Sequence, residues 1–234
     1  MFPNYKAPFI FANFNGTVGD VDVLTHEAGH AFQCFESRNF QIEEYYWPTL
    51  EACEIHSMSM EHLTYPWMKL FFAGDTEKYK FVHLSSNILF LPYGVAVDEF
   101  QHMVYENPDM TPAERKDAWL QMEKKYRPWM DYDGIDYLER GGFWQRQGHI
   151  YRSPFYYIDY CLAQLCAFQF WSKSQSDFAS AWNDYLRLCK AGGSDSFLGL
   201  VKLANLKSPF DKDVFEPLFK EIENYLNAVD DMKM

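Results

Sequence analysis

Hydrophobic positions along the chain follow helical spacing over most of its length. Between Val21 and Glu36, apolar residues recur three and four positions apart, which predicts an amphipathic helix with Asp20 at its N-cap. The same pattern predicts helices over residues 50–72 with a bend near Pro66, 77–106 with a break near Pro92, 111–126, 131–142, 154–171, 177–190, 197–204 and 211–228. Residues 7–14 are aromatic and β-branched enough to predict one short strand before Asn15-Gly16. We therefore expect a mainly α fold with a small β-element near the amino terminus.

The sequence predicts the start of one helix more clearly than the starts of the others. Thr111, Pro112 and Glu114 form a capping box with proline at the first helical position. No repeat, low-complexity tract or linker divides the 234 residues, so we expect a single domain over residues 1–234.

Composition narrows the class of function. The net charge is −12 with no stripe of Lys or Arg, so we expect no binding to nucleic acid. The longest apolar stretch, residues 87–97, contains Pro92 and Gly94 and is too short to cross a bilayer, so we expect no membrane span. Five scattered cysteines favour neither a disulfide framework nor a thiolate zinc site, and we expect a cytoplasmic protein.

The segment His26-Glu27-Ala28-Gly29-His30 carries the most specific chemistry in the chain. Residues four apart share one face of a helix, so His26 and His30 can offer imidazole nitrogens to one metal ion. Two imidazoles and a carboxylate, with a fourth position for water, are typical of a hydrolytic zinc site. Glu27 then lies beside that water as a general base. Two surface histidines on an amphipathic helix are the alternative interpretation.

The third ligand is expected on the next helix. Glu51, Glu54 and Glu61 fall close to one helical face, and the spacing leaves the choice among them open. A metal-bound histidine usually donates its second ring nitrogen to a carboxylate or carbonyl. Asp22, one turn before His26, is placed to accept from His26, and Glu51 could do the same for His30. Alternatively, Asp22 only favours the positive helix N-terminus.

A second concentration of polar and aromatic side chains runs from His149 to Tyr160. Phenol and imidazole groups can donate hydrogen bonds to an oxyanion formed at a carbonyl carbon. Aromatic residues at this spacing are also common as plain core.

These segments resemble the carboxy-terminal, catalytic part of the oligoendopeptidase F and thimet oligopeptidase family of zinc metallopeptidases, most closely its Pz-peptidase-like bacterial branch. The matching segments are residues 24–32, 54–61 and 149–164 within a resemblance that extends over about residues 8–225. The resemblance implies a zincin-type, neurolysin-like helical domain that binds one Zn²⁺ ion and hydrolyses internal peptide bonds of oligopeptides.

The resemblance also assigns roles to individual residues. It implies His26, His30 and Glu54 as metal ligands and Glu27 as the general base. It implies His149, Tyr157 and Tyr160 as the groups that contact the substrate carbonyl or oxyanion, with Tyr156 as a further candidate. The strand predicted at residues 9–14 would pair with the substrate backbone.

The chain departs from the family in one respect. Family members carry a large helical amino-terminal half that forms the opposite wall of a deep cleft, and here the first ligand lies 25 residues after Met1. We expect a fragment, a split enzyme or a reduced form. The expected partner is a chain that supplies the amino-terminal half, or else the chain forms a homo-oligomer. The alternative function is a weak or inactive half-enzyme that binds zinc and peptide without cutting.

Overall fold

The structure is a computed structural model that describes residues 1–230, and it is mainly helical. The α-helices are α1 (Val18–Ser37), α2 (Leu50–Leu63), α3 (Lys69–Phe72), α4 (Thr76–Glu106), α5 (Pro112–Tyr126), α6 (Asp136–Glu139), α7 (Gly148–Arg152), α8 (Tyr157–Ser176), α9 (Phe178–Ala191), α10 (Phe197–Leu203) and α11 (Phe215–Asn227). Short 3₁₀ turns lie at Pro3–Tyr5, Glu43–Tyr46, Tyr65–Trp67, Ala73–Asp75, Phe143–Arg146 and Lys212–Val214. None of the described helices is both long and apolar enough to span a bilayer.

The predicted strand at residues 7–14 is wrong. Across residues 1–230 the only β pairing is an isolated bridge between Phe2 and Ala7, and residues 8–15 have no regular secondary structure. Phe9, Phe11 and Phe14 are exposed, with 82% of the Phe11 surface accessible. A strand needs a neighbour for its backbone N–H and C=O groups, and local propensity cannot supply one. The expected pairing of this segment with a substrate backbone therefore loses its basis.

Helix boundaries were predicted best where side chains cap the helix. α5 begins at Pro112, and Thr111 and Glu114 form both hydrogen bonds of the capping box, as predicted. Asp20 is not the N-cap of α1. It lies in the first turn, where its carboxylate accepts hydrogen bonds from the backbone N–H groups of Asn15 and Gly16.

Two interruptions that the sequence predicts within helices differ from what the structure has. α4 continues through Pro92 without a break. A proline removes one backbone hydrogen bond, and burial of Ala96, Val97 and Phe100 in the following turns offsets that cost. The helix predicted over residues 50–72 ends at Leu63, and Pro66 lies in a 3₁₀ turn ahead of the short α3.

The described chain divides into two compact units, residues 1–85 with 162–230, and residues 86–161. In the first unit, α1 packs on α2 and α9, and α10 packs on α2 and α9. Its fully buried side chains include Ile55, Leu63, Phe168, Phe170, Trp171, Tyr185 and Leu200. The expectation of one domain over residues 1–234 stays a prediction.

The second unit has its own apolar core. Phe100, Trp119 and Trp144 pack ring against ring, with centroids 5.5 Å apart for Phe100 and Trp119 and 4.9 Å apart for Phe100 and Trp144. Tyr157, at the start of α8, is buried in the same cluster. This core fixes the segment that carries His149.

Candidate metal centre

Three side chains from α1 and α2 converge on one point in the first unit. The Nε2 atom of His26 lies 3.2 Å from the Oε2 atom of Glu54, and the Nε2 atom of His30 lies 3.4 Å from the same oxygen. The donor atoms of the three residues all lie within 4.8 Å of one another. Glu54 is 4% exposed, while both histidines are half-buried. The site is thus closed on the Glu54 side and more accessible on the histidine side.

Two of the three separations between these ligand atoms fit a tetrahedral zinc ion. Zinc holds nitrogen and oxygen ligands at about 2.0–2.1 Å, which in a tetrahedron places neighbouring ligand atoms about 3.3–3.4 Å apart. The two observed nitrogen-to-oxygen distances, 3.2 and 3.4 Å, match that separation. Two imidazoles and one carboxylate are also a donor set that suits zinc. His26, His30 and Glu54 therefore fit the ion that the motif predicted.

A glycine between the two histidines lets the two helices approach closely. A Cβ atom at Gly29 would lie 2.5 Å from the carbonyl oxygen of His56 and 2.6 Å from the Cα atom of Ser57. Only a residue without a side chain fits at this contact. The close packing of α1 on α2 at Gly29 brings Glu54 within reach of both histidines.

The second ring nitrogen of His26 is held by Glu61. His26 Nδ1 lies 2.7 Å from Glu61 Oε1, and the other oxygen of Glu61 lies 2.8 Å from Nε2 of His83. The Nδ1 atom of His83 in turn lies 2.7 Å from the hydroxyl of Tyr65. The sequence pointed to Asp22 for this role, but the Asp22 carboxylate accepts a hydrogen bond of 2.8 Å from Tyr79.

His30 has a different neighbour. Its Nδ1 atom lies 3.4 Å from the Sγ atom of Cys53, the position for which the sequence suggested Glu51. Cys53, His30 and Glu27 line a cavity of about 140 Å³ together with Phe9 of the amino-terminal segment. A cavity of this size has room for several water molecules. Glu27 thus faces a space that water can enter beside His30.

The surroundings of His26 and His30 favour a positive charge on both side chains. Burial lowers the pKa of His26, but hydrogen bonds and attraction from Glu54 and Glu61 outweigh burial and raise the pKa to about 10. For His30, hydrogen bonds to Cys53 and Glu54 likewise outweigh burial and raise the pKa to about 9. Burial raises the pKa of Glu54, but the two histidines hold it well below its usual range. A cation at this point, whether protons or a metal ion, is therefore stabilised.

The predicted carbonyl-contacting residues form a separate cluster in the second unit. His149 Nε2 lies 3.2 Å from the hydroxyl of Tyr160, and the His149 ring centroid lies 5.2 Å from that of Tyr157 and 6.1 Å from that of Tyr156. Tyr157 is buried, and burial raises its pKa far above the usual value. Tyr156 and Tyr160 are half-buried.

A hydrogen-bond chain sets the orientation of His149. The hydroxyl of Tyr93 donates to Oε1 of Gln147 at 2.7 Å, so the amide NH₂ of Gln147 faces Nδ1 of His149 at 2.6 Å. An amide NH₂ can only donate, so Nδ1 accepts and the ring proton lies on Nε2, facing Tyr160. Sequence reasoning did not identify Gln147, because its role depends on Tyr93, 54 residues away.

Residues 3–218 match the model of peptidase family M3, and the chain belongs to that family. A solved structure of Pz peptidase A with an inhibitor is 68% identical, superposes with a TM-score of 0.96, and matches 98% of this chain and 41% of its own. An oligoendopeptidase F homologue of Borreliella burgdorferi is 26% identical over 80% of this chain and 32% of its own. Oligopeptidase PepF of Bacillus subtilis is 23% identical over 97% of this chain and 34% of its own.

The chain spans about a third of the length of these two curated relatives and about two fifths of the solved one. The family and the helical fold expected from the sequence are confirmed. These matches do not extend to this chain the activity, the substrates or the partners of the longer proteins.

Proposed function

We propose that the chain is the zinc-binding catalytic part of a metalloendopeptidase that hydrolyses internal peptide bonds of oligopeptides. The observation that carries the proposal is the meeting of His26, His30 and Glu54, with both Nε2 atoms within 3.4 Å of one Glu54 oxygen. Family membership supports a peptidase, and the separations between ligand atoms support zinc.

His26, His30 and Glu54 would hold the ion, which when bound polarises a water molecule and the scissile carbonyl. Glu27 accepts the proton of that water and delivers it to the nitrogen of the leaving amine. Its position on a cavity beside His30 supports this role. Glu61 keeps the proton of His26 on Nδ1, so that Nε2 presents its lone pair to the metal.

His149 and Tyr160 act on the carbonyl oxygen. The ring proton of His149 lies on Nε2, and the hydroxyl of Tyr160 lies 3.2 Å from that atom. Both groups can donate a hydrogen bond to an oxyanion, and such a donor commonly contributes about 3 kcal/mol to transition-state stabilisation. Tyr157 is buried among Phe90, Tyr93 and Tyr160, and its ring packing supports the cluster that holds His149 and Tyr160.

A fluorogenic oligopeptide assay on the full chain tests this function. We expect cleavage that stops on chelation, returns on addition of zinc, and falls by several orders of magnitude in Glu27→Gln without loss of zinc. Glu36→Gln on the same helix is the matched control and should retain turnover. Turnover in Glu27→Gln close to that of the control would refute the assignment of the base.

The second function considered from the sequence, a half-enzyme that binds zinc and peptide without cutting, corresponds to a distinct result. It predicts stoichiometric zinc and measurable peptide binding with no cleavage. Tyr160→Phe should lower kcat far more than it lowers zinc content, and an unchanged kcat would remove Tyr160 from the mechanism.

A further inference from the structure

A cavity of about 530 Å³ in the second unit is lined by Arg146, Gln147, Gly148, His149, Arg152, Ser153 and Tyr156. It therefore includes His149 and Tyr156, two of the residues assigned to the substrate carbonyl. Two guanidinium groups lie on the same lining, and none of the described residues that line it carries a carboxylate. In a chain of net charge −12 this is a local reversal of charge.

Arg146 and Arg152 differ from the other five arginines of the chain. Arg127, Arg140 and Arg187 pair with carboxylates, and Arg38 and Arg115 donate to backbone carbonyls. Within residues 1–230, neither Arg146 nor Arg152 has a carboxylate within 4.0 Å or a hydrogen-bond acceptor. Both donor sets are therefore available to a ligand.

Each of the two guanidinium groups has one close neighbour in the second unit. The Arg146 guanidinium carbon lies over the Phe143 ring, 5.0 Å from its centroid, and a ring face takes up none of the guanidinium N–H groups as a conventional hydrogen-bond acceptor. The guanidinium of Arg152 lies over the backbone of Gly148, where a Cβ atom would come within 3.2 Å of Nη2. Gly148, itself part of the lining, thus leaves room for the Arg152 head.

Another cavity in the same unit provides a contrast. Its volume is about 650 Å³, and its lining includes Glu106, Asp109, Glu114 and Asp117. That lining repels anions, whereas the arginine-lined cavity attracts them. A planar carboxylate matches the fork of a guanidinium with two parallel N–H···O bonds.

We infer that Arg146 and Arg152 form a carboxylate-binding subsite for the peptide substrate, next to His149. The inference rests on the proposed peptidase function and adds a substrate class, namely peptides that place a carboxylate near the scissile bond. The carboxylate is either a Glu or Asp side chain or the free carboxyl terminus of a short peptide.

The test measures kcat/KM for matched fluorogenic peptides. A neutral peptide with an amidated carboxyl terminus is the reference. One series replaces Gln by Glu at each position in turn, and one derivative has a free carboxyl terminus instead of the amide. We expect one of these carboxylates to raise kcat/KM at least tenfold over its neutral counterpart at low salt, and the position that does so identifies the source.

Arg146→Gln and Arg152→Gln should each lower this acidic-to-neutral ratio at least fivefold, and Arg152→Lys should restore part of it. Arg140→Gln, an arginine of the same unit paired with Asp136, is the control and should keep the wild-type ratio. A ratio that stays at the wild-type value in both Gln variants overturns the subsite, as does a wild-type ratio near one for every peptide.

A binding measurement separates failure of the subsite from failure of the peptidase function. Fluorescence anisotropy with the labelled acidic and neutral peptides, on zinc-loaded Glu27→Gln, gives the same ratio from dissociation constants without turnover. Zinc-dependent cleavage with no acidic preference rejects the subsite alone. Absence of cleavage, together with an acidic preference in binding that the Arg variants abolish, rejects the peptidase function and retains the subsite.

Discussion

The Nδ1 atom of His26 lies 2.7 Å from the Oε1 atom of Glu61, and Glu61 lies in α2 two helical turns after the candidate ligand Glu54. Nδ1 donates its proton to this carboxylate, so that Nε2 is the nitrogen that would bind a metal ion once its own proton is displaced. Burial raises the pKa of Glu61, but its hydrogen bonds with His26 and His83 outweigh burial and lower the pKa to about 2. Glu61 therefore stays ionised at neutral pH.

Replacing Glu61 should weaken zinc binding. Loss of an ionised partner on a metal-ligating histidine typically lowers metal affinity 10- to 100-fold, so we expect about that loss for Glu61→Gln in a chelator competition titration. Glu51→Gln is the matched control on the same helix, because Cys53 and not Glu51 lies next to His30. Equal zinc affinity in the two variants would remove Glu61 from this role.

The helix contact at Gly29 gives a prediction on stability. In Gly29→Ala the new methyl group meets the backbone of His56 at 2.5 Å, so α1 and α2 must separate. We expect destabilisation of about 1–3 kcal/mol by denaturant unfolding, together with weaker zinc binding. In the control Gly19→Ala, the nearest atom to the new Cβ lies 3.7 Å away, and Ala favours the helix. Both variants matching the wild type would contradict the close contact.

Zinc stabilisation should increase with pH. The folded-state pKa values of His26 and His30, about 10 and about 9, lie above the unfolded value of 6.5. Protonation of these histidines therefore stabilises the metal-free fold fully below pH 6.5, and this contribution is lost as the pH rises through 9 to 10. Zinc must displace these protons, so its affinity should rise by up to about two log units per pH unit below pH 9.

This prediction is tested by the rise in Tm that zinc causes relative to chelator, measured at pH 6.5 and at pH 8. All other titrating groups contribute to both curves and cancel to first order. We expect the larger zinc-induced rise at pH 8. The same rise at both pH values would contradict the charge state assigned to the site.

Replacing Gln147 should lower kcat without changing the zinc content. Its amide donates to Nδ1 of His149 and keeps the ring proton on Nε2. In Gln147→Leu both tautomers become accessible, so we expect kcat to fall several-fold while zinc content stays the same. The control is Gln145→Leu, whose exposed side chain bonds Tyr137. A kcat equal to that of the control would mean that Tyr160 alone orients His149.

The sequence predicted the candidate ligands but not the contacts that support them. His26 and His30 are one turn apart on a single helix, so local geometry places them together. Glu54 was one of three candidates by spacing, and the family resemblance selected it. Which carboxylate reaches Nδ1 of His26 depends on how α1 packs on α2, and a pattern within one helix does not contain that information.

Other contacts had weaker signals in the sequence. Gly29, inside a helix and between two ligands, is a recognisable sign of close backbone approach. His83 and Gln147 had no local signal, because their partners lie far away along the chain. The prediction of a strand at residues 7–14 was wrong for the same reason. Strand formation depends on a neighbour that the local sequence does not specify.

Zinc content per chain, measured by metal analysis after purification and dialysis, tests the central claim most directly. The wild-type chain, Glu27→Gln and the Arg140→Gln control should each hold one zinc ion, and Glu54→Gln should hold far less at the same free zinc concentration. The account is contradicted if Glu54→Gln keeps one zinc ion with unchanged affinity, or if the wild-type chain binds no stoichiometric zinc.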